Sequence, residues 1–366
     1  MPFKIVRNDI TNMQVDAIVN SANPKPLVGA GVDFGIHKKA GPGLLEARWE
    51  IGRIEVGKAA VTPAFDLNAK YVIHAVGPMW LDGQHNEAEH LKNCYDNALN
   101  AAAEHGCESI AFPLISTGNY GFPKSLALQI AINAFSSFLK DHDMHIYLVV
   151  FSKSAFALSE ELFHNVASYV DENYVIEKTL DEYGIIRNHH AREPEYTQIF
   201  RELSSKYNPC KFAAPQENRV DASIPPMASV VESASNIAKN AFNSDQLKDL
   251  LAATDAGFTE TLLKLIDKTG KKDSDIYKKA NIDRKLFSKI RNNLNYKPTK
   301  PTALAFAIAL ELDLDETKDF IARAGYTLTH SSKFDIIVEY FIVTKNYNVF
   351  ELDAVLFEYD QPLIGA

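Results

Sequence analysis

Cysteine is nearly missing from this chain. Cys94, Cys107 and Cys210 are the three in 366 residues, and none stands in a CxxC pair or a metal-ligand spacing. That excludes a disulfide framework and fits a reducing, cytoplasmic setting. Long apolar runs are also missing. None approaches the roughly 20 residues of a membrane span, so no membrane partner is expected. The first residues, Met1 to Arg7, read as a strand and not as a leader peptide. Basic excess is lacking too: 38 Lys and Arg face 47 Asp and Glu, a net charge of −9. The whole chain is therefore no nucleic-acid coat, although a local basic patch is still compatible with that balance. What remains is an ordinary globular composition, 46% hydrophobic and 23% charged, in a chain too long for one core.

Two stretches organise the first half. Asp16-Ala17-Ile18-Val19 is short, apolar and β-branched, the pattern of a buried strand. It leads into Asn20-Ser21-Ala22-Asn23, turns at Pro24 and Pro26, and enters Gly29-Ala30-Gly31-Val32-Asp33. A helical pattern begins at Asp33. The second stretch repeats the plan. Ile110 to Ile115 reads as a strand, Ser116-Thr117-Gly118-Asn119-Tyr120-Gly121-Phe122-Pro123 as a loop, and Ser125 to Leu139 as a helix. A strand, a glycine-rich loop and a helix N-terminus expose backbone N–H groups to a phosphate. Two such loops at strand carboxyl ends can hold a pyrophosphate between them.

The remaining elements are expected in alternation. Strands are read at Phe3–Val6, Gly57–Pro63, Tyr71–Val76 and Ile146–Phe151. Helices are read at about Asp33–Ala40, Leu44–Ile51, Leu91–His105 and Ala155–Val170, with a polar loop from Trp80 to His90. This predicts an α/β, three-layer α/β/α domain over 1–174. Asp9 reads as the cap of a turn at Thr11-Asn12, and Phe151, at the end of its strand, as a core residue. His37 and His74 read as structural.

These residues resemble the macrodomain family, the ADP-ribose-binding fold. The matching segments are Asn8-Asp9-Ile10-Thr11, Asp16 to Asn23, Gly31-Val32-Asp33 with Ile36-His37, Val72 to Pro78, and Phe112-Pro113 through Pro123. The resemblance implies a mostly parallel mixed sheet and ADP-ribose as ligand. It implies that Asp9 and the Ile10 backbone meet the adenine and that Phe151 lies on its face. Asn20, Gly31, Val32, Ser116, Thr117, Gly118, Asn119, Tyr120 and Phe122 complete the ligand contacts. Asn23 would bond the distal ribose, and Asp33 would orient the attacking water. With Asn23 and Asp33 the first loop looks like that of MacroD-type hydrolases, which release ADP-ribose from modified proteins. Three positions depart from the family: Asn8 and Ala30 stand for its usual glycines, and Pro24 follows Asn23. If position 30 required a positive φ, Ala30 would restrict the loop.

The pattern loosens over 175–245, where Pro209, Pro215, Pro225 and Pro226 mark a linker. The run His189-His190-Ala191-Arg192-Glu193-Pro194 lacks the i, i+4 spacing of two histidines on a helix and reads as solvated loop, so neither metal nor other cofactor is expected. From 246 to 366 an all-α domain is predicted. Ser274–Ala280, a turn at Asn281-Ile282-Asp283 and Arg284–Asn293 form a helix-turn-helix pattern, with Thr259 as a candidate cap of a preceding helix. This part resembles the five-helix fold of phage repressors. Between residues 268 and 300 there are eleven Lys and Arg (268, 271, 272, 278, 279, 284, 285, 289, 291, 297, 300) against three acids (273, 275, 283). Arg284, Lys285, Lys289 and Arg291 are candidate DNA contacts. Protein docking and a plain solvated bundle are the other readings.

The expected activity is hydrolysis of mono-ADP-ribose from acidic residues of a modified protein, and of O-acetyl-ADP-ribose, with the C-terminal domain selecting the target. The alternatives are an ADP-ribose reader without turnover and a DNA-associated regulator that senses such a ligand.

Overall fold

The computed structural model describes residues 2–151, 162, 165–170 and 256–364. All of them belong to one compact unit, formed by Met1–Lys178 with Ala256–Ala366. The expected linker, the His189-His190 segment and Cys210 lie outside the described residues. So do 155–161 of the expected closing helix. Its described residues, 162 and 165–170, are helical.

Six strands form one sheet in the order β1-β6-β5-β2-β4-β3. They are β1 (Phe3–Arg7), β2 (Ala17–Ser21), β3 (Ala59–Pro63), β4 (Tyr71–Ala75), β5 (Ser109–Phe112) and β6 (His145–Val150). All pairings are parallel except β3 with β4. Helices cover both faces: α1 (Val32–Ala40) and α2 (Pro42–Ile51) on one, α3 (Glu87–Glu104) and α4 (Lys124–Asp141) on the other. Period-two alternation assigns the side chains. Ala17, Val19, Ile110, Phe112, Leu148 and Val150 share a core with α3 and α4. Ile18, Val72, Ala111 and Val149 share one with α1 and α2.

Several boundaries differ from expectation for local reasons. β5 stops at Phe112, because Pro113 has no N–H to continue the ladder. α3 starts four residues before Leu91, at Glu87. The Glu87 carboxylate accepts the backbone N–H groups of Leu81, Gly83 and His85, at 3.2, 3.2 and 2.6 Å. These bonds hold its pKa down at about 2. Apolar spacing carries no trace of that cap. Thr259 does not cap its helix. Gly257 occupies the N-cap, and the buried Thr259 hydroxyl donates to the Asn293 carbonyl at 3.2 Å.

The C-terminal region is helical: α5 (Phe258–Thr269), α6 (Asp273–Lys279), α7 (Arg284–Arg291), α8 (Lys300–Ala309), α9 (Leu314–Ala322), α10 (Lys333–Val343) and α11 (Val349–Glu358). It packs on β1 and α4. The Phe350 ring lies 5.2 Å from Phe3, which lies 5.6 Å from Phe135. Asn281, in the turn between α6 and α7, is fully buried. Its Oδ1 accepts the Phe3 N–H at 2.9 Å, and its Nδ2 donates to the Phe3 carbonyl at 3.0 Å. β1 is an edge strand, so this one amide satisfies a residue that would otherwise need a neighbouring strand. Asn281 Nδ2 also reaches Asp353 Oδ2 at 3.3 Å, and Asp353 Oδ1 accepts the Ile364 N–H at 2.7 Å. Burial holds the Asp353 carboxyl well above the usual carboxylate range. Among the described residues no helix is long and apolar enough to cross a membrane.

Candidate functional site

A cleft of about 400 Å³ opens at the carboxyl ends of β2, β5 and β6. One wall is the loop from β2 to α1, the other the loop from β5 to α4. Asn23, Gly31, Val32, Asp33, Ser116, Thr117, Gly118, Asn119, Tyr120 and Phe151 line it, as does Lys124. The backbone N–H groups of 116–120 have no acceptor among the described residues. Five consecutive donors without an acceptor, in residues that line a cleft, are the kind of group that can cradle an anion. Ser116 is held at φ +65°, unusual for a residue with a side chain, and its buried hydroxyl has no partner among the described residues. Gly77 lies against it, and a Cβ there would run into the Ser116 hydroxyl and the Ile115 side chain.

The first loop is fixed from inside. Asp33 is 4% exposed. Its Oδ1 accepts Asn20 Nδ2 at 2.6 Å, and its Oδ2 accepts the Gly29 N–H. His37 Nε2 stands 3.6 Å from Oδ1. Asn20 Nδ2 also approaches His74 Nδ1 at 3.2 Å, and His74 Nε2 pairs with the Thr62 hydroxyl at 3.0 Å. The buried Arg48 guanidinium donates to the carbonyls of Asn23 and Pro24, at 3.1 and 3.2 Å, and to that of Gly52. Ala30 does not adopt a positive φ; Gly31, at +64°, takes that conformation. The alanine therefore costs the loop no left-handed strain. Across the cleft the Tyr120 hydroxyl donates to Asn23 Oδ1 at 3.1 Å, while Asn23 Nδ2 donates to the Leu27 carbonyl at 3.0 Å.

Four expected contacts stand outside the cleft lining. Asn20 is fully buried and meets Asp33. Phe122 is buried with its ring 4.8 Å from Trp80. Ile10 is 6% exposed. Asp9 caps the 3-10 turn Ile10–Asn12, accepting the Thr11 N–H and hydroxyl at 2.9 and 2.8 Å. Phe151 is no core residue: β6 ends at Val150, and Phe151 is 76% exposed. The residues that sequence reasoning missed are Arg48 and Lys124. Arg48 is a lone cation on a mostly apolar helix, and Lys124 is the first residue of α4 after Pro123. Neither belongs to a pattern.

His74 carries a pH prediction. Burial first, and then the charge of Arg48, lower its pKa from 6.5 to about 3. Between these values the unfolded chain binds more protons than the fold, so stability rises with pH across this window and is fully present above 6.5. We expect a lower urea midpoint at pH 5 than at pH 7 and a smaller difference in His74→Asn. Asp353, whose pKa is raised, acts in the opposite sense in both proteins and cancels in that comparison.

A second cleft, of about 760 Å³, lies at the amino ends of the strands, between the α4–β6 turn and α6–α7. Arg284, Lys285 and Lys289 line it. Arg291 does not; it pairs with Asp273. Asp82, His85 and Glu87 bring ligand atoms together, but their contacts are those of the cap on α3.

Residues 19–131 match the family described as Macro domain. A Macro domain-containing protein of Lactiplantibacillus plantarum is 52% identical over 135 residues, which cover 37% of this chain and 78% of that protein. An O-acetyl-ADP-ribose deacetylase of Citrobacter rodentium is 46% identical over 164 residues, covering 43% and 93%. Among solved structures, the Oceanobacillus iheyensis macrodomain with ADP is 37% identical, covers 48% of this chain and 92% of its own, and superposes with a TM-score of 0.42.

Proposed function

Because this chain belongs to the Macro domain family, we propose that it hydrolyses mono-ADP-ribose esters, on acidic residues of modified proteins and in O-acetyl-ADP-ribose. One observation carries the reading: Asn23 and Asp33 meet in a single cleft whose far wall is a run of free backbone donors. The pyrophosphate lies along the N–H groups of 116–120 and the N-terminus of α1, which suit negative charge. Asp9 and Phe151 follow the paired strands β1 and β6 at the same end of the sheet, where an adenine would sit. Asn23 and Tyr120 take the distal ribose. Asp33 orients water toward C1″. The new bond joins water oxygen to C1″, the C1″–O bond to the acyl group breaks, and the carboxylate leaves. The water proton passes to the Asp33 carboxylate or to a pyrophosphate oxygen of the ligand. No metal or other cofactor enters this scheme.

The C-terminal helices act in this proposal as a targeting unit of helix-turn-helix type. The four-residue connection 280–283 between α6 and α7 and the basic residues of α7 support that part. A reader without turnover is the competing function. The deciding experiment incubates the full chain with a protein mono-ADP-ribosylated on acidic residues and follows free ADP-ribose. Release supports the hydrolase. ADP-ribose binding by calorimetry without release makes the protein a reader.

A further inference from the structure

We propose that the cleft between the α4–β6 turn and α7 binds single-stranded nucleic acid through unpaired bases. This builds on the targeting role of the C-terminal helices and is independent of hydrolysis. One wall offers Arg284, Lys285 and Lys289, all exposed and without a carboxylate partner among the described residues. Three carboxylates face the same space. Asp283 is engaged as the N-cap of α7, accepting the Leu286 N–H at 2.8 Å, and Asp143 lies 3.6 Å from Lys278. Both keep their charge, so Asp143 offsets Lys278 while Asp283 and Glu108 stand against Arg284, Lys285 and Lys289, of which Lys289 also lies 5.5 Å from the Tyr296 ring; a positive excess is left to attract an anionic chain. The opposite wall carries His142, which is exposed while its ring stacks on Phe138 at 4.0 Å and 3°. Cations along one side and a flat, stacked ring on the other are the two elements of single-strand recognition.

The same geometry opposes a duplex. A recognition helix enters the major groove to a depth of about 8.5 Å, with a phosphate backbone on each side of it. Here the α4–β6 turn faces α7 across the cleft, with the α6–α7 turn held to β1 by the Asn281 clamp on Phe3, and it takes up room that a second phosphate backbone would need. The space suits a strand whose bases are free to stack. It does not suit a closed helix.

The test is fluorescence anisotropy of the full chain with a labelled oligothymidylate of about 15 nucleotides and a duplex of equal length, at about 50 mM salt. The single strand is expected to bind at least about tenfold more tightly than the duplex. Arg284→Glu with Lys289→Glu should weaken it by about tenfold or more and flatten its salt dependence, and His142→Ala should weaken it several-fold. Equal or tighter duplex binding overturns the proposal in favour of repressor-type recognition. Absent single-strand binding overturns it in favour of a protein-docking face, and binding indifferent to the double variant overturns the assigned cleft. ADP-ribosyl ester hydrolysis and thermal melting on the same preparations show that the variants are folded. If wild type binds the strand but hydrolyses nothing, the hydrolase reading fails and this one stands.

Discussion

On the proposed mechanism, Asp33→Ala is expected to lower ADP-ribosyl ester hydrolysis by about 10²-fold or more, the usual loss when a positioned acid–base group is removed. Binding of ADP-ribose should weaken much less, because in the proposed mode most of the ligand rests on the backbone donors of 116–120. Some loss is still expected. The carboxylate collects Asn20 Nδ2 and the Gly29 N–H, and alanine leaves both without their acceptor. Asp33→Asn is the sharper comparison. It keeps the volume but turns an amide NH₂ toward one of these donors. Single-turnover rates read beside calorimetric affinities separate the two effects. Asn23→Ala should reduce turnover while leaving the Asn20–Asp33 contact in place. Full turnover in both Asp33→Ala and Asn23→Ala would remove these residues from the chemistry.

Asn281→Ala destabilises the unit by roughly 2–4 kcal/mol, although it lies at the opposite end of the sheet from the cleft. The substitution removes one side chain and strands three groups: the N–H and C=O of Phe3 and one Asp353 oxygen. All are buried, and water reaches them only if α11 or the α6–α7 turn moves from β1. Asn281 also holds φ at +54°, which asparagine tolerates better than alanine. Thermal melting should fall by several degrees, with the N-terminal and C-terminal parts losing structure together. Asn281→Asp places a second carboxyl beside Asp353 and should destabilise as much or more. Melting unchanged within a degree or so would show that the amide contributes no net stability at this interface.

Much of the α/β half was legible in the chain. Ile18 against Ala17 and Val19, and Ala111 against Ile110 and Phe112, alternate faces with period two, and both strands run straight into their glycine-rich loops. Local chemistry decides such features, so sequence displays them. Boundaries set by distant or reciprocal contacts were less readable. Glu87 starts α3 through bonds to the loop behind it, and Phe151 is exposed only because β6 ends one residue earlier. Asn20 stands in the same motif as Asn23, yet its amide turns inward to Asp33 and His74.

The sequence by itself determined the strand–loop–helix repeats, the pairing of Asn23 with Asp33 on one loop, and the basic character of residues 268–300. Those follow from residue type and spacing over a few turns of chain. Tertiary structure alone decided that Arg48 clamps the first loop, that His74 is neutral behind Asn20, and that Asn281 closes the edge of β1 across 278 positions. A buried polar group takes its partner from whatever the fold brings within about 3 Å of it. Spacing along the chain carries no record of that distance.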